Sequence, residues 1–287
     1  MDASRRIDLS GRGLTTLPIP LEQELGTQQL ELRGNPLGSV PEALRALTGL
    51  KHLGLSRTGL TSVPDWLWSF SGLQSLNLSE NQIASVGDGI AKLSQLRMLD
   101  LGHNELSALP PGLGGLVGLS DYLYLSHNCL SSFPACLGKL SRLKYLNLTH
   151  NGLEALPDAI GDLASLRELR LYDNRLIGMP DGIGGLTNLH ELHLSNNWLE
   201  CLPDALGRLS SLRILDLRNN HLRLLPDSLA GLSQLAYLDL RANHFSALPS
   251  ALAELPNLQK LDVRWNNLDT VPAWVDDLER RGCAVLL

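Results

Sequence analysis

A chain of 287 residues, 44% hydrophobic and with a formal net charge of −6, holds enough apolar material for a long core. Its negative balance argues against a nucleic-acid or anionic-membrane partner. No run approaches the roughly 18 apolar residues of a membrane span, and the opening MDASRRIDLS contains no apolar core of a secretory signal.

Taken in chain order, the sequence is one phrase repeated. Asparagine recurs at Asn35, Asn81, Asn104, Asn128, Asn151, Asn174, Asn197, Asn220, Asn243 and Asn266, almost always in steps of 23. Each sits inside L-x-x-L-x-L-x-x-N-x-L-x-x-L-P, as in LRILDLRNNHLRLLP from Leu212 to Pro226. With the first Leu as position 1, repeats open at Ser4, Thr27, Leu50, Leu73, Leu96, Ser120, Leu143, Leu166, Leu189, Leu212, Leu235 and Leu258, which makes twelve over residues 4–280. Residues 281–287 form a short tail expected to cap the stack, as terminal segments of solenoids do. Arg12 and Thr58 replace the Asn, and Gly87 replaces the closing Pro of the fourth repeat. One residue is inserted in LSDYLYL, where it can bulge the strand and re-aim Tyr122 or Tyr124.

Within each repeat, positions 4 and 6 are apolar while 3, 5 and 7 mostly are not, the alternation of a short strand with one buried face. Later apolar residues at spacing three, such as Leu206, Leu209 and Leu212, predict a tight helical turn on the opposite wall. One repeat cannot bury its leucines alone, so a fixed period of this size predicts a solenoid. The Asn carries donors and an acceptor that suit the backbone leaving the sheet, and Pro fixes φ where the chain turns away. The phrase is the signature of the leucine-rich repeat superfamily, and the LPxxLGxLxxL form resembles intracellular Ras-group and short bacterial members. That resemblance implies an α/β horseshoe, with a parallel sheet on the concave face and short helical turns on the convex side. It also implies a protein partner such as a small GTPase, a phosphatase complex or a host signalling protein.

The columns at positions 3, 5 and 7 are the ones able to recognise a partner, because they point away from the leucine core. All five tyrosines fall there, whereas Phe70, Phe133 and Phe245 take Leu positions. Tyrosine offers apolar area with a polar tip, which suits an interface. Tyr122, Tyr124, Tyr145 and Tyr172, with Met98 and His193, gather in repeats five to nine and are the expected hot spot. Tyr237 is the remaining tyrosine of the columns. Repeats ten to twelve set Asp216, Asp239 and Asp262 beside Arg218, Arg241 and Arg264. This is a charged strip for selectivity or a self-neutralising ladder. Trp265 extends it, and Trp198, Trp66 and Trp68 are also expected at or near the surface by register.

His103, His127 and His150 share position 8 in three consecutive repeats, a column whose imidazoles could hold a transition metal. No carboxylate or cysteine recurs there to complete a coordination sphere, so no metal or cofactor is expected. No G-x-S-x-G, phosphate-cradling loop, H-E-x-x-H or C-x-x-C occurs, and no enzyme is predicted. Cys129, Cys136, Cys201 and Cys283 are scattered rather than paired as end caps, which favours a reducing, cytoplasmic setting or delivery into a host cell. The expected function is a protein–protein interaction scaffold binding a folded partner on its concave face. The alternative is the targeting portion of a multidomain effector or signalling protein whose catalytic domain lies on another segment.

Overall fold

The computed structural model describes residues 5–18 and 24–287; Ser4, which opens the first repeat, lies outside them. The chain forms two compact units, residues 1–130 with 134–143, and residues 131–133 with 144–287. In the first unit, strands β1 (Arg5–Asp8), β2 (Thr27–Glu31), β3 (His52–Gly54), β4 (Ser75–Asn77), β5 (Met98–Asp100) and β6 (Tyr122–Tyr124) pair in parallel, each with the next. In the second, β7 (Tyr145–Asn147), β8 (Glu168–Arg170), β9 (Glu191–His193), β10 (Ile214–Asp216), β11 (Tyr237–Asp239), β12 (Lys260–Asp262) and β13 (Ala284–Leu286) do the same. This is the parallel-sheet solenoid that the period predicts.

The coil closes through four devices that recur at fixed positions. Leucines of positions 4 and 6, such as Leu215 and Leu217, are fully buried between neighbouring coils. The repeat Asn then serves as a buried staple: Asn197 Nδ2 donates to the carbonyls of Leu171 (3.0 Å) and Leu194 (3.0 Å), and its Oδ1 accepts from Leu176 N–H at 3.0 Å. One side chain thus satisfies backbone groups of its own coil and of the coil before it. At Thr58 the hydroxyl takes over half of this duty by donating to Leu55 O at 2.7 Å. The closing Pro holds extended backbone, with Pro203 at φ −76 and ψ 152, and leads into a five-residue 3-10 turn, Asp204–Arg208. Short 3-10 segments are the usual form of such connectors.

The fourth device is legible only in the structure. Position 8 is left-handed in coil after coil: Gly11, Gly34, Arg57, Glu80, His103, His127, His150, Asp173, Asn196, Asn219, Ala242 and Trp265 all have φ between 51 and 71. Glycine adopts this region freely and Asn or Asp tolerate it, whereas a simple Cβ costs energy. Ala242 has no polar group to offset that cost. Ala242→Gly is therefore expected to stabilise the protein by about 0.5–1 kcal/mol, read as a higher urea midpoint with unchanged slope.

Three features depart from the sequence reading. The inserted residue does not bulge a strand: β5 and β6 pair in unbroken register, Met98 with Tyr122 and Asp100 with Tyr124. Leu119 fills the buried slot that opens the repeat, so Ser120 is the extra residue and the coil ahead of the strand absorbs it. Trp68 is not at the surface; it is 1% exposed, packed beneath the next turn. A Cβ on Gly89 would lie 2.5 Å from its Cδ1, so the unusual glycines of the fourth repeat make room for this indole. Finally, residues 274–280 form an α-helix, α1 (Trp274–Arg280), rather than a 3-10 turn. Its Val275 and Leu278 are buried, and the β13 strand that follows pairs with β12.

Candidate functional site

The open face of each sheet carries the side chains of strand positions 3 and 5, since their neighbours at position 4 are committed to the core. On the first unit, Met98 (38% exposed) and Tyr122 (40%) stand opposite each other on β5 and β6. Tyr124 stacks on Tyr122 with ring centroids 6.1 Å apart. Beside Tyr124, burial pushes the Asp100 carboxyl above its ordinary value, against the lowering effect of a hydrogen bond from Gly102 N–H.

On the second unit the predicted residues separate. Tyr145 is only 9% exposed, with the Arg170 guanidinium 5.6 Å from its ring centre, so it offers little area to a partner. Tyr172 lies past the end of β8 and packs edge-on against His150 at 5.5 Å, while His150 Nε2 contacts Asp173 at 3.1 Å. Neither tyrosine presents the open ring that the column count implied, because each is covered by a neighbour from the adjacent coil. His193 remains on the sheet face, 3.1 Å from Glu191.

Two residues that the sequence reading left out of the site share this face, the half-buried Ile214 and the exposed Tyr237. Ile214 on β10 and Tyr237 on β11 are paired neighbours, and Tyr237 is 45% exposed. They form the apolar floor of a depression of about 330 Å³ whose rim includes His193, Asp216, Asp239 and Lys260. Tyr237 had been visible as a position-3 tyrosine; Ile214 could have been found by reading the same column for any large apolar residue.

The charged strip is a connected network from Asp239 to Arg264, with Arg218 and Asp216 a pair beside it. Arg241 reaches Asp239 at 2.5 Å and Asp262 at 3.4 Å, Arg264 reaches Asp262 at 2.7 Å, and Arg218 lies 3.6 Å from Asp216. Burial would raise Asp262, but hydrogen bonds from Arg264 and the charges of Arg241 and Arg264 hold it below its ordinary value. The hydrogen bond to Asp239 raises Arg241 above its ordinary value. Trp265 stands at its edge, 71% exposed, with Arg241 and Arg264 at 5.8 and 5.5 Å from its ring.

The position-8 histidines do not assemble a ligand set. His103 and His127 stack with centroids 3.9 Å apart, and His150 is engaged by Asp173. Among the described residues, the group able to share a cation is Glu168, Glu191 and His193, whose ligand atoms lie within 4.8 Å of one another. Arg170 already occupies Glu168 at 2.5 Å and would compete with any ion. All four cysteines are free thiols, with Cys129 and Cys201 exposed. Among the described residues, no helix is long and apolar enough to cross a membrane.

Known proteins carry the same coil. The sequence matches the family model for a leucine-rich repeat region over residues 113–202. It matches the leucine rich repeat models over 26–83, 71–130 and 223–268, and again over 211–232. Comparison with curated proteins returns no match. A leucine-rich repeat protein of Leptospira interrogans is 26% identical with a TM-score of 0.56, over 99% of this chain and 96% of that one. An internalin of Listeria monocytogenes, 20% identical, shares the fold with a TM-score of 0.74 over 98% of this chain and 86% of its own. The plant peptide hormone receptor RGFR1 in complex with RGF2 is 30% identical with a TM-score of 0.73; the match covers 94% of this chain and 48% of that one. This chain therefore spans about half of that receptor's length. Leucine-rich repeat folds generally act as protein–protein interaction scaffolds and are typically non-catalytic. With the leucine-rich repeat model matched over more than half its length and the same strand–Asn–turn coil in its structure, the chain belongs to the leucine-rich repeat family.

Proposed function

We propose that this chain is a non-catalytic scaffold that binds a folded protein on the open face of its sheet. The observation that carries the proposal is the exposed Tyr237 beside the half-buried Ile214 on paired strands, in a depression rimmed by charged residues. An apolar centre with a charged rim is the usual anatomy of a protein-binding hot spot. Arg241 and Arg264 pair with the buried Asp262 and so also serve the fold. The more exposed Arg218–Asp216 pair contributes little to stability, about 0–1 kcal/mol, and is free to serve partner selection. Met98, Tyr122 and Tyr124 supply a second aromatic patch on the first unit. The plant receptor that shares the coil is in complex with RGF2, which supports recognition through this architecture. The Ras-group likeness favours a small GTPase, phosphatase complex or host signalling protein as partner, and free, exposed thiols favour a cytoplasmic setting.

The test is affinity capture from the native cytosol with three baits: wild type, Ile214→Ala/Tyr237→Ala, and Met98→Ala/Tyr122→Ala. The proposal expects a protein held by wild type and reduced at least ten-fold on the Ile214/Tyr237 bait. Equal recovery on all three folded baits would remove the sheet face as the binding surface.

A further inference from the structure

Beside the sheet, on the second unit, the coil edge carries a long open groove of about 1090 Å³. It lies above the left-handed position-8 residues, and its lining includes Asn196, Trp198, Asn219, His221, His244 and Trp265. This surface is separate from the Ile214–Tyr237 depression. We propose that it binds a neutral oligosaccharide chain.

The lining defines that chemistry. Most of its groups are amides and imidazoles, and its charged members, Arg223 and Asp269, are of opposite sign. Arg241 and Arg264, which flank Trp265, are already held by Asp239 and Asp262, so the groove favours hydroxyl groups, which find donors and acceptors, over an anion. The amides are also pre-aligned: Asn219 Nδ2 donates to Asn196 Oδ1 at 2.8 Å, and Asn196 Nδ2 donates to Asp173 Oδ1 at 2.7 Å. Each amide group can donate twice and accept twice. The ladder uses one donor of each, so hydrogen-bonding capacity remains on a fixed frame. His221 Nδ1 and His244 Nε2 lie 3.3 Å apart, which orients the two stacked imidazoles.

Indole rings lie along the same groove. Trp198 is 49% exposed and Trp265 71%, a large apolar area left in water. Arg175 packs on Trp198 from the preceding coil, 6.0 Å from the ring, and holds it in place. An exposed, buttressed indole suits the C–H face of a pyranose ring, which is apolar while its rim is hydroxylated.

Between the two, the amide ladder stops at Ala242, where the backbone is left-handed at φ 51. Asn is favoured over Ala in that conformation, and Asn would extend the ladder. The small side chain keeps the groove open. Side chains one coil apart recur at strand spacing, about 4.8 Å, so donors and acceptors repeat along the groove at a spacing close to that of successive sugar rings.

The experiment is a titration of the full chain with neutral hexasaccharides of glucose, mannose and N-acetylglucosamine, followed by tryptophan fluorescence and calorimetry. A sulfated hexasaccharide and an uncharged hexapeptide are the controls. The proposal expects saturable binding of at least one neutral hexasaccharide with a tryptophan signal. Trp198→Ala should weaken it at least ten-fold. Ala242→Asn should do the same while leaving the melting temperature unchanged or higher, so a folding defect cannot account for the loss. Binding that survives both variants, binding of the sulfated or peptide control alone, or no neutral sugar bound at millimolar concentration would overturn it.

Discussion

Replacing Asn197 by alanine is expected to destabilise the protein by about 3 kcal/mol or more. The side chain donates to Leu171 O, Leu194 O and Ser195 O and accepts from Leu176 N–H, all in the interior. Each buried backbone group left without a partner costs about 1–3 kcal/mol, and alanine supplies no substitute. Water would have to enter between two leucine layers to relieve the loss. Its neighbour Asn219, whose amide bonds outward to Asn196, gives the comparison. Asn219→Ala should cost less, about 1–2 kcal/mol, since its partner can turn to solvent and only the left-handed backbone at φ 59 then penalises alanine. Urea denaturation of the two variants separates the cases. Equal midpoints would show that the staple contributes nothing beyond its position in the sequence.

The second large effect lies on the opposite wall, where the 3-10 turns approach one another. A Cβ on Gly182 would stand 2.1 Å from Asp158 O and 2.6 Å from Asp158 Cα, both backbone atoms that cannot swing aside. Gly161 is locked in the same way against Gly182 O, at 2.2 Å. Gly182→Ala must push two coils apart, and overpacking of this kind costs about 1–3 kcal/mol. Gly178, with nothing within 4 Å of its Cβ position, is the matched control. Gly178→Ala should fall within about 0.5 kcal/mol of wild type. If the thermal midpoints of the two alanine variants coincide, the tight turn packing described here is not what these glycines serve.

Much of this fold was legible in the sequence because its determinants are local and repeated. Leu215, Leu217 and the other core leucines announce themselves by period, and the Asn and Pro positions each do one job in every coil. The left-handed column was also written there, in the Gly11, Gly34, Asp173, Asn196 and Asn219 of position 8. It went unread because His103, His127, Ala242 and Trp265 share it, and these suggest chemistry rather than backbone geometry. Exceptions to the period were harder, since they depend on what the next coil leaves room for. Trp68 is buried because Gly87 and Gly89 stand above it, and the extra Ser120 vanishes into a coil.

The face was less legible than the core. Column position places Tyr145 and Tyr237 alike, yet Arg170 lies over one and the other is open. Which side chain covers which ring is decided by length and charge two residues along the next strand, not by register. Ile214 shares its column with Tyr237, but an isoleucine at a face position carries no polar tip to mark it as a contact residue. Pairing of Asp262 with Arg241 and Arg264 was legible because opposite charges in adjacent columns leave few other arrangements.

The most direct test of the recognition surface is hydroxyl-radical footprinting of the captured complex, resolved by mass spectrometry to single side chains. Recognition through the sheet face requires oxidation of Tyr237 to fall at least five-fold on partner binding, with Ile214 protected beside it. Cys201 and Leu224, exposed away from the strand columns, should react as in the free chain. If Tyr237 and Ile214 oxidise as fast in the complex as alone while those outer residues are shielded, the partner sits elsewhere and the central claim is wrong.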